Sequence, residues 1–411
     1  MKIHVVGINY EPETVAVFNT EMCEYLNRKG HDVTVFTAFP NYPQWKIYEG
    51  YEGKLFKDEQ LNGVTIKRSY IYVPHKVNSI SRIFFEASFI VSSFLRLLFT
   101  RSPNLIFVIS APIGLGITAF LISRLKDIPF IFHVKDLQPD TAVNLKMLNN
   151  KWIINFLFLI EKFIYQKALV VSTISAGMVK KIISKGIDVN KVLLFKDWVD
   201  IERFKPSNKV NSFSIRNKLS DKFVVSYCGN FGIKQGLELI LQVAKDTRSF
   251  SEIVYLLVGD GVAKDTLFRM SNEMDLNNVK FLPPQNHETY SQVLSTSDIC
   301  LIIQKSQVKD VLIPSKFLHI TASGRPVIST AVKGSEAFNQ IKLANCGISV
   351  KPENVVELKE AILRLKEDPL LRNELGRNGR VHAENNLAKN KILNSFHSKI
   401  IKLSHCKKLY T

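Results

Sequence analysis

Short apolar runs alternate with helix-period patterns along almost all of this 411-residue chain, and that alternation constrains the fold more than any other feature. In the first half the runs are Ile3–Ile8, Val33–Thr37, Val64–Arg68, Leu105–Ile109, Phe130–His133, Leu169–Ser172 and Val192–Phe195. Helical patterns near Val15–Arg28, Ser81–Phe99, Leu115–Leu125, Trp152–Gln166 and Ala176–Ser184 lie between them. The second half adds Phe223–Cys228, Glu252–Val258, Val279–Leu282, Ile299–Ile303, Pro326–Ser329 and Gly347–Val350, each followed by a helix or a helix start. Several runs are apolar at every position, the signature of parallel strands covered on both faces. Polar residues gather between Asp197 and Lys222 before the pattern resumes. The expectation is an α/β chain of two tandem Rossmann-like, doubly wound domains, 1–200 and 201–385, facing each other across a cleft. A C-terminal helix, 386–411, is expected to return to the first domain.

The charge balance narrows the partners. Fifty-five basic and 37 acidic residues leave a net charge of +18. Such basicity suits nucleic acid, an anionic membrane surface or anionic small substrates. The chain has no arginine-rich tail, zinc-finger spacing or nucleic-acid module, so nucleic acid is not expected. The five cysteines, Cys23, Cys228, Cys300, Cys346 and Cys406, are scattered and form no C-x-x-C pair. They read as buried thiols in a reducing compartment. The N-terminus enters a strand at once, without the pattern of a signal peptide. Ser102 to Ser123 lacks charge and is long enough to cross a bilayer, but Pro103, Pro112, Gly114 and Gly116 interrupt it. A strand, a loop and a helix are expected there instead.

Two segments carry chemistry. Gly229-Asn230-Phe231-Gly232-Ile233-Lys234-Gln235-Gly236 sits where a buried strand turns into a helix. Such a turn presents backbone N–H groups and the positive end of a helix dipole, and glycine lets a phosphate approach. Lys234 adds a full charge. Pro314-Ser315-Lys316 opens a second helix, with Ser315 placed as an ordinary N-cap. Two basic helix starts in one domain suggest a diphosphate clamp. The plain alternatives are a tight turn and a simple cap. Val258-Gly259-Asp260-Gly261 ends another strand and is expected to place a nucleoside. There is no Asp-x-Asp triplet and no cluster with metal-ligand spacing, so neither a metal nor another cofactor is expected.

These motifs resemble a known family. G-N-x-G-x-K-Q-G-L, V-G-D-G, Phe281-Leu282-Pro283-Pro284-Gln285 and Pro314-Ser315-Lys316-Phe317 with Ala322-Ser323-Gly324-Arg325-Pro326-Val327 resemble the retaining glycosyltransferases of family 4, with the GT-B fold. Phe39-Pro40-Asn41-Tyr42-Pro43-Gln44-Trp45-Lys46, Tyr72-Val73-Pro74, His133-Val134-Lys135-Asp136 and Asp197-Trp198-Val199-Asp200 are similar to the colanic-acid and O-antigen fucosyl- and N-acetylfucosaminyltransferase group. The likeness spans about residues 1–385. Three features depart from the broader family. Its two glutamates seven residues apart would fall at Val311 and His319, which leaves His319 or Asp310 to replace the ribose-binding carboxylate. Pro12-Glu13-Thr14-Val15-Ala16 stands where a glycine pair follows the first strand. Asn230 stands where a basic residue is frequent.

The resemblance implies transfer of a sugar, such as N-acetyl-L-fucosamine or fucose, from a nucleotide sugar to a polyprenyl-diphosphate-linked saccharide for surface polysaccharide. UDP is the expected nucleotide and GDP the alternative. Gly232, Lys234, Gly259, Asp260, Pro314, Ser315, Lys316 and His319 form the expected donor site. His133, Asp136 and Asp140 form the expected catalytic set, either contacting sugar and acceptor or serving as core and loop residues. Glu336 either binds ribose or caps a helix. The apolar, arginine-flanked helix near Ser81–Phe99 and the one near Trp152–Lys167 suit attachment to the cytoplasmic face of a bacterial inner membrane. The competing readings are an epimerase of the same fold and a non-catalytic nucleotide- or sugar-binding module.

Overall fold

The computed structural model describes residues 1–76, 78–144, 150–307 and 314–405. The apolar runs pair as parallel strands in two separate sheets. In the first unit, Met1–Lys196 with Leu393–Thr411, the strands are β1 (Lys2–Val6), β2 (Asp32–Ala38), β3 (Phe56–Leu61), β4 (Val64–Ser69), β5 (Leu105–Ile109), β6 (Phe130–Val134), β7 (Val170–Thr173) and β8 (Val192–Leu194). Their order is β3-β4-β2-β1-β5-β6-β7-β8, and every neighbouring pair is parallel except β3 with β4. The second unit, Asp197–Ile392, holds β9 (Phe223–Cys228), β10 (Ile253–Val258), β11 (Val279–Leu282), β12 (Ile299–Ile302), β13 (Val327–Ser329) and β14 (Gly347–Ser349), in the order β11-β10-β9-β12-β13-β14. Two tandem Rossmann-like units are thus present.

Packing explains why the runs are continuous. Val225, Tyr227, Tyr255 and Leu257 enter one layer of the second unit with Leu239, Ile240 and Leu241 of the Glu238–Asp246 helix. Their strand neighbours Val224, Cys228, Leu256 and Val258 enter the opposite layer with Val293. Both faces are buried, so the runs are apolar at nearly every position, and the polar exception, Ser226, is hydrogen-bonded. Cys23, Cys228, Cys300 and Cys346 are buried free thiols, and Cys406 lies outside the described residues.

One strand escaped the pattern. β3, Phe-Lys-Asp-Glu-Gln-Leu, lies inside the long segment after β2 that reads as loop. It is an antiparallel edge strand with alternating exposure, and its pairing with β4 holds it rather than any apolar run. The uncharged stretch after Ser102 folds as β5 and the Gly114–Lys126 helix. Among the described residues no helix is long and apolar enough to cross a membrane.

Candidate functional site

In the second unit the strand order reverses between β9 and β12, the point where doubly wound sheets open a crevice at their carboxyl edge. The Gly229–Gly236 loop leaves β9 there. The Gly259-Asp260-Gly261 turn leaves β10 beside it and fixes its shape. The Gly229 N–H donates to Val258 O (2.9 Å), the Phe231 N–H to Asp260 O (2.8 Å), and the Ala263 N–H to Phe231 O (2.9 Å). A Cβ on Gly259 would lie 1.9 Å from the Gly229 carbonyl oxygen, and one on Gly261 would lie 2.7 Å from that of Phe231. These glycines therefore allow close backbone contact between the two loops, which fixes the turn that the sequence suggests for a nucleoside. Asp260 is exposed and turned onto its own turn, accepting from the Gly261 N–H (2.8 Å) and pairing with Lys264 (3.2 Å). The Gly261 N–H, followed by Lys264, holds its carboxyl below the usual range.

The two candidate lysines differ sharply. Lys234 is exposed, and its carbonyl accepts from the Lys305 N–H (3.0 Å). Gly232, Ile233 and Lys234 donate their N–H groups to no partner among the described residues, so this stretch is open to an anion. Lys316 is turned inward. Its ammonium lies 3.6 Å from the Tyr227 ring centroid and packs against Gly229, with no acidic partner among the described residues. Burial lowers its pKa from the ordinary 10.5 to about 7. The Tyr227 hydroxyl donates to Asn230 O (2.9 Å), so one ring supports both the loop and the amine. Ser315 is not the N-cap of its helix, Ser315–Ala322. Pro314 holds that position, and no side chain caps the first turn. Ser315 itself is exposed. The two helix starts thus come together as an open, glycine-shaped loop with one inward-facing amine and an uncapped first turn beside it.

The first unit has its own reversal, between β1 and β5. Glu13, in the loop after β1, is buried. It accepts from the Asn41 and Tyr42 N–H groups (2.9 Å each) and from Asn9 Nδ2 (2.9 Å). One carboxylate thus ties the loops that follow β1 and β2. His133, at the end of β6, is not at a surface. It is 3% exposed, with Nδ1 2.9 Å from Ser172 Oγ and its ring between Phe107 and Phe195. Burial holds its pKa well below the ordinary value, so it is a neutral residue whose packing supports its loop. Asp136 is partly exposed and accepts from Thr141 Oγ1 (2.7 Å).

Asp140 is engaged elsewhere. It pairs with Lys185 (2.5 Å) and Lys181 (3.4 Å), and Lys185 also bonds the buried Glu161. Two carboxylates sharing one lysine make a structural cluster rather than a free base. Asp140→Asn is accordingly expected to lower unfolding free energy by about 1–3 kcal/mol. The turnover of the folded fraction should stay within a few-fold of wild type, measured by urea denaturation alongside an activity assay. A specific loss of turnover at full stability would restore Asp140 to the catalytic set.

Comparison with known proteins identifies the family. Residues 13–198 match a model described as a glycosyl transferase 4-like domain, and residues 209–382 one described as glycosyl transferases group 1. A protein of Escherichia coli (strain K12) named for colanic acid biosynthesis, the glycosyl transferase WcaI, is 30% identical over 96% of this chain and 98% of its own. The chain is a group 1 glycosyltransferase. Among solved structures, sucrose-phosphate synthase from Thermosynechococcus elongatus superposes with a TM-score of 0.76 at 16% identity, covering 98% of this chain and 99% of that one. Anabaena HepE in complex with UDP-glucose superposes at 0.73 and 14% identity, covering 98% and 100%. These neighbours share the GT-B fold.

The departures from the broader glycosyltransferase pattern have structural counterparts. His319, where a ribose-binding glutamate is frequent, is stacked on Phe204 (4.3 Å between centroids) and meets Tyr290 edge-on (5.5 Å). It is part of an aromatic cluster that fixes its ring plane. Asp310 and Val311 lie outside the described residues. Glu336 is buried at the start of the Glu336–Ala344 helix and accepts from Gln340 Nε2 (3.0 Å), while Ser335 caps that helix. No group of three or more metal-ligating side chains occurs among the described residues. Sequence reasoning missed Glu13 and Tyr227. A charged residue just after a buried strand at the switch point was the available signal for Glu13. Tyr227, inside an apolar run, gave none.

Proposed function

We propose that this glycosyltransferase moves a sugar, a 6-deoxyhexose such as N-acetyl-L-fucosamine or fucose, from a UDP-sugar to a lipid-linked saccharide, with retention of configuration. GDP is the alternative nucleotide. The product enters bacterial surface polysaccharide, a reading supported by the likeness to WcaI. The observation that carries the donor assignment is the Lys316 amine, set inward against the glycine loop with no acidic partner among the described residues. A diphosphate at that point supplies the missing charge, and the open N–H groups of Gly232, Ile233 and Lys234 receive its oxygens. HepE, which shares the fold, was solved with UDP-glucose. In a retaining reaction of this type the departing phosphate takes the acceptor's proton, so no protein nucleophile is assigned. The deciding experiment records thermal stabilisation and turnover of purified protein with UDP, GDP and their sugars, without added metal. Stabilisation by UDP but not GDP is expected. Stabilisation by neither nucleotide, in folded protein, would overturn the donor site.

Attachment to the cytoplasmic face of the membrane belongs to the same reading. The Lys151–Lys167 helix exposes Trp152 (86%), Phe156 (61%) and Leu159 (66%), with Lys151 and Lys162 exposed as well. Aromatic side chains rimmed by lysines suit an anionic interface. Burying each such side chain contributes about 1.5–3 kcal/mol. The double variant Trp152→Ser, Phe156→Ser is therefore expected to bind phosphatidylglycerol vesicles at least about tenfold more weakly in flotation, with unchanged nucleotide response. Unaltered flotation would remove this helix from the interface.

A further inference from the structure

A groove of about 710 Å³ runs along the Ser79–Leu98 helix of the first unit, between that helix and the β3–β4 edge of the sheet. Leu55, Tyr70, Tyr72, Phe84, Val91 and Leu95 line it. Phe84, Ala87, Val91 and Leu95 form one helical stripe, while Phe89 and Leu97 of the same helix enter the core. The helix is thus apolar on two sides, and only one of them is covered.

The serines in the groove wall offer a ligand nothing. Ser88 Oγ accepts from the Tyr72 N–H (2.8 Å) and donates to Phe85 O (2.9 Å), and Ser92 Oγ donates to Tyr70 O (2.7 Å). The Tyr70 N–H is spent on Leu55 O (2.8 Å). A peptide laid here would leave its backbone groups unpaired, whereas a hydrocarbon chain would not. From Phe84 to Leu95 the helix rises about 16 Å, so the groove has the shape of a slot for one extended chain.

Its two ends differ in how their cations are paired. At the Leu95 end, Arg96 and Lys67 (3.1 Å) are both tied to Asp58. The Phe84 end lies beyond the carboxyl end of β4, on the ligand-binding edge of the sheet. There Lys76 is exposed without an acidic partner among the described residues, and Arg82 is half-exposed, with Glu86 at 3.5 Å. Positive charge at the ligand edge and a dry slot running away from it match a phosphate-capped hydrocarbon.

We propose that this groove holds the hydrocarbon chain of the lipid-linked acceptor, with the lipid phosphate at the Lys76–Arg82 end. The inference rests on the reading of the acceptor as lipid-linked. Geranylgeranyl phosphate serves as the probe, titrated calorimetrically into wild type and into Val91→Glu and Ala87→Phe, both at exposed positions that tolerate substitution. Each variant is expected to bind the probe at least tenfold more weakly, with unchanged stabilisation by UDP and unchanged flotation with vesicles. Geranylgeraniol should bind more weakly than its phosphate, and inorganic phosphate should not compete. Equal affinity in Val91→Glu overturns the proposal. So does a loss of flotation that parallels the loss of probe binding, because the stripe would then be bilayer surface rather than a slot. If the acceptor reading alone is wrong, wild type transfers sugar equally well to lipid-linked and lipid-free saccharides. In that case the variants still lose the probe, which separates the two failures.

Discussion

Replacing Lys316 by methionine is expected to stabilise the empty protein at neutral pH and to abolish its response to nucleotide. The amine's pKa in the folded chain is about 7, against an ordinary 10.5, because burial beside Tyr227 and Gly229 strips its water, and no described carboxylate pairs with it. Between those two values the unfolded chain holds a proton that the folded chain lacks. Stability of the ligand-free protein therefore rises with pH across that window, and the full penalty is in place below about 7. Methionine keeps the volume and removes the penalty, which is on the order of a few kcal/mol. A bound diphosphate reverses the effect by making the charged form favourable. Binding at about pH 8 should then take up close to one proton, read as a dependence of calorimetric heat on buffer ionisation enthalpy. Loss of the cation should lower kcat on the order of 10²- to 10³-fold, the scale for removing one electrostatic partner of developing charge. Zero proton uptake, or nucleotide stabilisation that survives in the variant, would mean the amine does not meet the leaving group.

Gly259→Ala is expected to be the most damaging single methyl addition in the second unit. The new Cβ would sit 1.9 Å from the Gly229 carbonyl oxygen and 2.8 Å from the Phe231 ring, and neither is the loose end of a flexible chain. The two loops must separate, at the expense of the Gly229–Val258 and Phe231–Asp260 bonds that shape the anion site. A destabilisation of about 3 kcal/mol or more follows, with nucleotide stabilisation strongly reduced. Gly334→Ala is the control. Gly334 has φ +88° but nothing within 4 Å of its Cβ, so only the backbone conformation is strained, at about 1 kcal/mol. Urea denaturation of both variants, with and without UDP, measures the contrast. Equal costs would show that close packing of the two loops does not hold the site.

Much of the fold was legible because strand and helix periodicity are local. β5, β9 and β11 have the very limits their apolar runs suggest, and most others differ by a residue or two. β3 was illegible because an edge strand with Lys57, Asp58 and Glu59 on it looks like loop until β4 lies beside it. The site was legible as motifs and not as roles. Pro314 rather than Ser315 occupies the cap position, because the cap is decided by backbone angles. Gly259 reads as a turn glycine, while the neighbour that demands it, Gly229, lies thirty positions away in sequence.

Sequence alone determined two doubly wound parallel sheets, a glycine-shaped loop at the end of β9 and the family to which the chain belongs. Each follows from residue type and spacing within a short window. Tertiary structure decided what each charged or polar group is worth. Lys234 and Lys316 are equivalent as letters, yet one stays in water and the other is enclosed over Tyr227. His133 lies near the end of a strand in either view, and its packing against Phe107, Phe195 and Ser172 makes it a neutral core residue. Burial depth, and with it the free energy of a charge, depends on neighbours brought together from distant parts of the chain.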